Sequence, residues 1–388
     1  MYIFIFICFM ILSILPFFKI PAKVYFILFL ALLSFLAYIF DPITFYNLHG
    51  EAGKLDAARI FEEMDLFYTY GIDDPRLEWL YSTAPLSKCY IWLASYLPNH
   101  HFLPLINNML IFGITGWIIY DFCQKHRYPN NIVIFGFFLA CASAYHLNAF
   151  NNMRYMLAGV LFTLIWYLDI MRQHKWIRYF YLIPILLHPG VILLLILRVA
   201  TIFSIKKIVV IFSLMAIFLA FAFDSLFTFF FNLLSDFLGI ENYLSALQDQ
   251  SLSYFMGEVF TFPWGDKLVC IGFWIISLWT LLSFWYFNKA AIKNSNQIEN
   301  IFLFGGLQIF ACFLCIITDI GNGVFIDRFQ PVSHLFIALY TVMTLKSLEE
   351  KSDYGNYAVI YFSTWGLVVI RICVLFYGPY MHYLYDAL

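Results

Sequence analysis

The sequence predicts an all-α polytopic membrane protein. Of its 388 residues, 63% are hydrophobic and only 12% are charged, and the mean hydropathy is +0.81. Apolar runs of about 20 residues, the length a helix needs to cross the hydrocarbon core, follow one another along the chain. These runs lack the alternation with period two that marks a membrane β-barrel. We therefore expect a single integral membrane domain over residues 1–388.

Basic residues orient the predicted spans, because cytoplasmic loops near a membrane collect Lys and Arg. With every basic cluster inside, about ten full spans follow. The N-terminal run has no basic segment and no cleavage site, so it reads as a retained span. The clusters are Lys19/Lys23, Lys125/Arg127, Arg172/Lys175/Arg178, Lys206/Lys207, Lys289/Lys293 and Lys346/Lys351. The spans are 2–18, 24–40, 102–121, 131–149, 154–170, 208–223, 267–288, 300–318, 325–345 and 357–377.

Two apolar segments do not fit as full spans. The run between Arg178 and Lys206 has to enter and return, yet it is short for two crossings of about 20 residues each. A re-entrant or short hairpin that turns near His188 fits it better. Residues 84–98 cannot span without inverting every later loop, so we expect an amphipathic helix on the outer face.

Two long loops fall on the predicted outer side. The loop at 41–83 carries nine acidic and three basic residues, and part of it, AARIFEEMDLFYTY, looks helical with an apolar stripe. The loop at 224–266 has six acidic residues and no Lys or Arg. The outer face is therefore predicted to be acidic.

Arginines at the outer ends of two spans are the main candidates for ligand binding. Arg154 opens one span and Arg328 another, and an Arg guanidinium suits phosphate or carboxylate oxygens. His146 and Asn151 precede Arg154, and Asp327 precedes Arg328. The alternative is that each arginine pairs with a nearby carboxylate or extends to lipid headgroups.

Candidate proton-transfer groups lie in the same outer region. His188, just before Pro189, can act as a base or donate to an oxyanion, or it can simply bond a backbone carbonyl freed by the proline. Asp56 and Glu78 are candidate bases in the acidic loop, although most acids there are expected to be solvated surface.

Several function classes are disfavoured. The net charge of −2 argues against a nucleic-acid partner. Metal-ligand spacings, a P-loop, a G-x-S-x-G elbow and a dinucleotide motif are absent from the sequence. Cys312 and Cys315 have C-x-x-C spacing, but they lie inside an apolar run where thiols usually act as small hydrophobic groups.

The stretch from Asn151 to Leu197 resembles the central signature of the EpsG-like membrane proteins of bacterial exopolysaccharide and O-antigen gene clusters. That signature has an arginine opening a span, a basic turn, and a histidine ending the next apolar half-segment. Arg154 and His188 stand at those positions, with Tyr155 replacing the usual glutamine and Pro189 the usual polar residue.

Three further stretches extend the resemblance. GKLDAARIF looks like the family's Gly-x-x-Asp segment, and LEWLYSTAPLSKCYIWLASYL is similar to the Glu-containing stretch after it, so Asp56 and Glu78 carry over. FIDRFQPVSHLFIALY resembles the last block and carries over Arg328. The resemblance covers about two thirds of the chain.

The resemblance implies a Wzy-type polymerase with a glycosyltransferase-C-like fold in the bacterial inner membrane. Such an enzyme joins oligosaccharide repeat units linked to undecaprenyl diphosphate, on the periplasmic face, into O-antigen or exopolysaccharide. Asp56, Glu78 and His188 are then the expected catalytic groups, and the arginines with their polar neighbours bind diphosphate and sugar. No cofactor is predicted, and assistance by a divalent metal is left open. A chain-length regulator and a flippase are the implied protein partners.

Other functions use similar residues. An O-antigen ligase shares the donor and the fold, and a membrane acyltransferase also modifies sugars but would want a histidine early in the chain. A flippase or exporter of lipid-linked sugars needs a cationic cavity too. Its basic residues are expected through the membrane centre, whereas the predicted ones lie at the outer ends.

Overall fold

A computed structural model describes residues 2–40, 56–74, 76–77, 81–144, 149–150, 152–173, 175–201, 264–318 and 324–377. Within these ranges only the backbone is described for residues 2–5, 264–270, 312–332 and 376–377. The predicted span at 208–223 and almost all of the predicted second outer loop lie outside the described residues.

All regular structure in these ranges is helical, as predicted. The α-helices are α1 (Tyr2–Ile14), α2 (Ala22–Ile39), α3 (Asp56–Tyr70), α4 (Pro85–Ala94), α5 (Phe102–Lys125), α6 (Asn130–Ala142), α7 (Met153–Arg172), α8 (Leu182–Leu187), α9 (Ile192–Ala200), α10 (Trp264–Phe287), α11 (Lys289–Asn294), α12 (Asn296–Thr318), α13 (Val324–Glu350) and α14 (Tyr354–Tyr377). Short 3₁₀ turns cover Leu15–Phe17, Lys175–Tyr181 and Pro189–Val191.

The helices have the length and surface of a membrane protein. In the described part of the chain, four helices are long and apolar enough to cross a membrane: Ala22–Ile39, Phe102–Lys125, Met153–Arg172 and Tyr354–Leu375. Shorter apolar helices accompany them, and large apolar side chains such as Ile27 and Ile370 are exposed on the outside of the bundle. The chain is therefore an α-helical membrane protein.

Helix α13 lies at the centre of the bundle. It packs against α5, α6, α7, α10, α12 and α14. Its aromatic side chains fill the interior: the Tyr340 ring stacks on Phe284 with centroids 5.0 Å apart, and Phe336 meets Trp166 at 5.3 Å. Because lipid is as apolar as these side chains, close packing of this kind is what holds membrane helices together.

Contacts between helix ends bring basic loops together at one end of the bundle. The Asn130 amide donates to the Ile20 carbonyl at 2.7 Å, which joins the turn before α2 to the turn before α6. Asp121 accepts from Lys125 and from the Tyr167 hydroxyl, both at 2.6 Å, which joins α5 to the end of α7.

The other basic loops in the described part of the chain lie at the same end of the bundle. Arg198 at the end of α9 reaches Asp169 at 3.0 Å and Asn300 near the start of α12 at 3.4 Å. Lys351 donates to the Phe287 carbonyl at 3.0 Å, so α10 and α13 finish side by side. This shared basic end is the pattern expected for a cytoplasmic face.

Helices α8 and α9 form a short hairpin. Its turn is at His188, whose extended backbone (φ −153°, ψ 115°) separates the two helices, and Pro189 follows. The Gly190 amide donates to His188 Nδ1 at 3.1 Å, which fixes the turn. Both ends of the hairpin return to Asp169, through Arg178 and Arg198.

Two predicted elements are shorter in the structure than in the prediction. Helix α6 ends at Ala142, before the predicted end of that span at residue 149, and the carbonyl of its C-cap residue Ser143 accepts a hydrogen bond from Arg371. A helix also forms within the predicted interfacial segment 84–98, and it covers Pro85–Ala94. Its position at the membrane surface stays a prediction.

A glycine in α12 provides a test of how tightly the bundle is packed. A methyl group on Gly305 would meet the Tyr340 hydroxyl and the Phe336 ring, both fully buried, and that hydroxyl already donates to the Ile301 and Phe302 carbonyls. We expect Gly305→Ala to destabilise the protein by about 1–3 kcal/mol, the usual cost of overpacking. Thermal unfolding in detergent measures it.

The neighbouring glycine is the control. A methyl group on Gly306 would lie 3.7 Å from the nearest side-chain atom of Leu281, which is an ordinary contact. Gly306→Ala should therefore unfold at the wild-type temperature or slightly above it. Equal melting temperatures for the two variants would show that α12 and α13 are not packed as described.

Candidate functional site

The acidic segment before α4 contains a helix that turns one carboxylate inward. Helix α3 buries Ala57, Ile60, Met64 and Phe67 in a small second core with α4, Tyr81 and Met153. Glu63 lies at the edge of this apolar stripe and is only 3% exposed. A carboxylate in such surroundings needs a charged or hydrogen-bonding partner.

Arg154 and Tyr81 surround that carboxylate. The Tyr81 hydroxyl donates to Glu63 Oε2, and the Arg154 guanidinium lies over the Tyr81 ring with Cζ 5.4 Å from the centroid. Arg154, in the first turn of α7, is 9% exposed. The Tyr81 hydroxyl therefore bonds the Glu63 carboxyl group, and the face of the Tyr81 ring contacts the Arg154 guanidinium.

Two charged side chains on α3 extend the group toward solvent. Arg59 Nη2 lies 2.6 Å from Asp56 Oδ1, and Arg59 Nε lies 3.4 Å from Glu63 Oε1. About a third of the Asp56 side chain is exposed. We call Asp56, Arg59, Glu63, Tyr81 and Arg154 the Arg154 cluster; its exposed edge is Asp56 and Arg59.

Burial dominates the ionisation of the cluster. It raises the pKa of Glu63 above its usual value, and the charge of Arg154 opposes that rise. Burial likewise raises the pKa of the Tyr81 hydroxyl, so that the phenol stays protonated and available as a donor.

Polar contacts hold the start of α7 in place. The Asn107 amide of α5 donates to the Ala149 and Met153 carbonyls at 3.3 Å, and its oxygen accepts from the Tyr90 hydroxyl at 3.3 Å. The amino-terminal end of α7 carries a partial positive charge from its backbone N–H groups. That end and Arg154 together make this part of the site favourable to anions.

The hairpin turn meets α7 next to Arg154. The His188 ring contacts the Tyr155 ring edge-on, with centroids 5.1 Å apart, and the Ser87 hydroxyl of α4 donates to the Leu187 carbonyl at 2.5 Å. His188 Nδ1 accepts from the Gly190 amide, so a neutral ring carries its proton on Nε2. The His188 ring thus has its donor atom at Nε2 and lies against Tyr155, the residue after Arg154.

The structure brings part of the predicted site together. Asp56 and Arg154 belong to one cluster, and His188 lies against the residue after Arg154. Glu78, His146 and Asn151 lie outside the described residues. Asp327 and Arg328 lie in the first turn of α13, where only the backbone is described.

Sequence reasoning missed Arg59, Glu63 and Tyr81. Helical periodicity contains a signal for Glu63, because it comes three residues after Ile60 and four before Phe67, both buried. The same periodicity puts Asp56, Arg59 and Glu63 along one edge of the helix. Tyr81 has no comparable signal, since it follows the end of α3 in a different segment.

The cluster combines a buried cation, an exposed carboxylate and a fixed phenol. This combination can bind an anionic group at Arg154 and accept a proton at Asp56. Among the described residues, no group of three or more His, Cys, Asp or Glu side chains is placed to hold a metal ion.

The sequence matches no protein-family model, and neither curated proteins nor solved structures show significant similarity to it.

The raised pKa of Glu63 predicts a pH-dependent effect of Glu63→Gln on stability. A carboxyl group with a raised pKa in the folded state favours folding below its unfolded pKa, and this contribution is lost as pH rises through the folded pKa. Glutamine behaves like the protonated acid at every pH. The melting temperature of the variant minus that of wild type should therefore increase as pH rises from below 4.5.

Glu62 is the matched control, because it is the neighbouring residue but is exposed. The same measurement on Glu62→Gln shows how much of the change comes from replacing an exposed carboxylate on the same helix. A Glu63→Gln difference that shrinks with rising pH would mean that the charged form of Glu63 is the favoured one in the fold.

Proposed function

We propose that the chain is a polymerase that joins oligosaccharide repeat units carried on undecaprenyl diphosphate, at the periplasmic face of the bacterial inner membrane. The proposal rests on the Arg154 cluster, which has a buried guanidinium at the start of α7 beside a partly exposed carboxylate. The resemblance of its residues to the EpsG-like and Wzy-type proteins gives the substrate class. The product would be O-antigen or exopolysaccharide.

In this mechanism Arg154 binds the diphosphate of the donor. Arg forms bidentate hydrogen bonds with phosphate oxygens, and its low exposure strengthens the interaction with a charged ligand. Removing one preorganised donor of this kind typically costs about 2.7–4 kcal/mol of transition-state stabilisation. Glu63 and Tyr81 hold the guanidinium in place, and Arg328 and Asp327 are proposed to complete the site from α13.

Asp56 is the proposed general base, since it is the exposed carboxylate of the cluster. The acceptor hydroxyl oxygen attacks the anomeric carbon of the donor and gives its proton to Asp56. The bond between that carbon and the diphosphate oxygen breaks, and undecaprenyl diphosphate leaves with the electron pair. His188, whose Nε2 carries the proton, is proposed to donate to the leaving oxygens, and the phosphate ester itself supplies the energy.

The proposed topology places this reaction outside the cytoplasm. About ten spans, with α8 and α9 as a re-entrant hairpin and α4 as an interfacial helix, form a fold like that of the glycosyltransferase-C enzymes. The shared basic end is then cytoplasmic, and α3 with the start of α7 faces the periplasm. Glu78 stays a candidate catalytic group, and His146 and Asn151 stay candidate ligands of the diphosphate or the sugar.

Arg154→Ala is the decisive test of the function. We expect the purified variant to convert a lipid-linked repeat unit to polymer at least about 100-fold more slowly than wild type, because the leaving diphosphate loses its cation. The variant should still insert and accumulate. Product length on a gel, with and without chelator, measures the activity and its metal dependence.

Arg76→Ala is the control, because Arg76 lies in the same outer segment and is more than half exposed, paired with Asp74. It should polymerise like wild type. Polymer of normal length and rate from Arg154→Ala would exclude the diphosphate role. A wild-type protein that transfers preformed polymer to lipid A core, rather than extending it, would be a ligase instead.

Cysteine labelling in intact cells tests the orientation. In a background without the native cysteines, Asp73→Cys should react with a membrane-impermeant maleimide added outside. Lys293→Cys, at the basic end, should react only after permeabilisation, because we place that end in the cytoplasm. The reverse pattern would invert the proposed topology and remove the active site from the periplasm.

A further inference from the structure

The hairpin of α8 and α9 lies at the edge of the bundle and is supported from one side. Large apolar side chains point away from the bundle along both helices and are exposed: Leu182, Ile183, Leu186, Ile192, Ile196 and Val199. In a membrane this face contacts acyl chains, which do not fix its height. The opposite face buries Leu187, Val191, Leu194 and Leu197 in the core, and polar contacts at the two ends of the hairpin add to this packing.

At the basic end, both limbs of the hairpin attach to one carboxylate. Asp169 of α7 is 5% exposed and lies 3.3 Å from Arg178 Nε and 3.0 Å from Arg198 Nη2. The Tyr181 hydroxyl donates to the same carboxylate at 3.4 Å. Arg178 precedes α8 and Arg198 ends α9, so a single side chain holds the start and the finish of the hairpin.

At the other end, the turn fits closely against α7. The His188 and Tyr155 rings are in edge-on contact. A methyl group on Gly190 would lie 3.1 Å from His188 Nδ1, a tight contact, and 3.4 Å from the Tyr155 ring, an ordinary one. The turn therefore accepts little vertical displacement without losing its contact with Tyr155.

Both attachment points belong to the same rigid element. Tyr155 and Asp169 are separated by 14 positions on the uninterrupted helix α7, a rise of about 21 Å at 1.5 Å per residue. Arg154 is on the same helix. Helix α7 therefore sets the distance between Asp169, where both limbs of the hairpin attach, and Tyr155, which the turn contacts.

We propose that Asp169 is a positioning residue, which sets the depth at which the hairpin presents His188 to the Arg154 cluster. The catalytic consequence rests on the proposed function, in which His188 Nε2 donates a hydrogen bond to the leaving diphosphate. The anchoring itself does not, because it concerns only where the turn lies. Asp169 acts through the hairpin, because it lies about 22 Å from Arg154 along α7.

We test the proposal with three variants: Asp169→Asn, Asp169→Glu and Asp121→Asn. Asp121 is the matched control: it is another carboxylate at the basic end, but it bonds Lys125 and Tyr167, which lie outside the hairpin. Spin labels at Leu186 near the turn and Leu110 on α5, both exposed, report the position of the turn by double electron–electron resonance. The labels are introduced as cysteines in the full chain after replacing the native ones.

We expect one narrow distance distribution in wild type and in Asp121→Asn, and a broader or displaced one in Asp169→Asn. Displacement of His188 by about 1 Å or more should lower kcat about 100-fold, while KM, which reflects binding at Arg154, changes less than about twofold. Asp169→Glu keeps the charge and should recover most of kcat and the narrow distribution.

Two results would overturn the proposal. One is a distance distribution in Asp169→Asn that matches Asp121→Asn, since the carboxylate then does not anchor the turn. The other is a displaced turn with kcat unchanged, since the depth of His188 then has no effect. Failure of the proposed function looks different: wild type itself makes no polymer, or Arg154→Ala remains active, while the distance measurement still decides the anchoring.

Discussion

The buried charge of Arg154 is the constraint on which the packing of α3 and α4 at the start of α7 depends. A guanidinium at the start of an apolar helix is costly unless a partner of opposite charge is close. Arg154 opposes the rise that burial causes in the pKa of Glu63, and the Tyr81 ring lies against the guanidinium. Both groups are brought to Arg154 because α3 buries its apolar stripe against α4. The small second core thus packs Tyr81 and α3 against the start of α7, where Arg154 lies.

Helix α7 connects this site to the basic end of the bundle. Its first turn carries Arg154 beside an acidic segment, and its last turns carry Asp169 beside arginines. Each end therefore has a buried charge matched by the other sign from a neighbouring segment. Because such pairs cost several kcal/mol to break by removing one partner, they specify how α3 and the hairpin dock on the helix.

The sequence predicted the helical membrane class, Arg154, Asp56 and the turn at His188, because these depend on apolar length, charge and a proline in sequence. It did not predict Tyr81 or the role of Glu63, because both depend on how α3 docks on α4 and α7. Asp169 was likewise missed, since a carboxylate near basic residues reads as ordinary cytoplasmic loop chemistry. Its importance appears only when Arg178 and Arg198 converge on it.

A second buried arginine shows why the anion site is proposed at Arg154. Arg371 of α14 is 2% exposed, donates to the carbonyl of Ser143 at the end of α6, and lies 5.0 Å above the Phe273 ring. The end of α6 carries partial negative charge from its backbone carbonyls, which offsets that guanidinium. Arg154 instead stands at a helix start, whose partial charge is positive. The backbone therefore adds to the positive charge of Arg154. An arginine beside a helix end with negative partial charge, as at Arg371, has a structural role, whereas one at a helix start is suited to an anionic substrate.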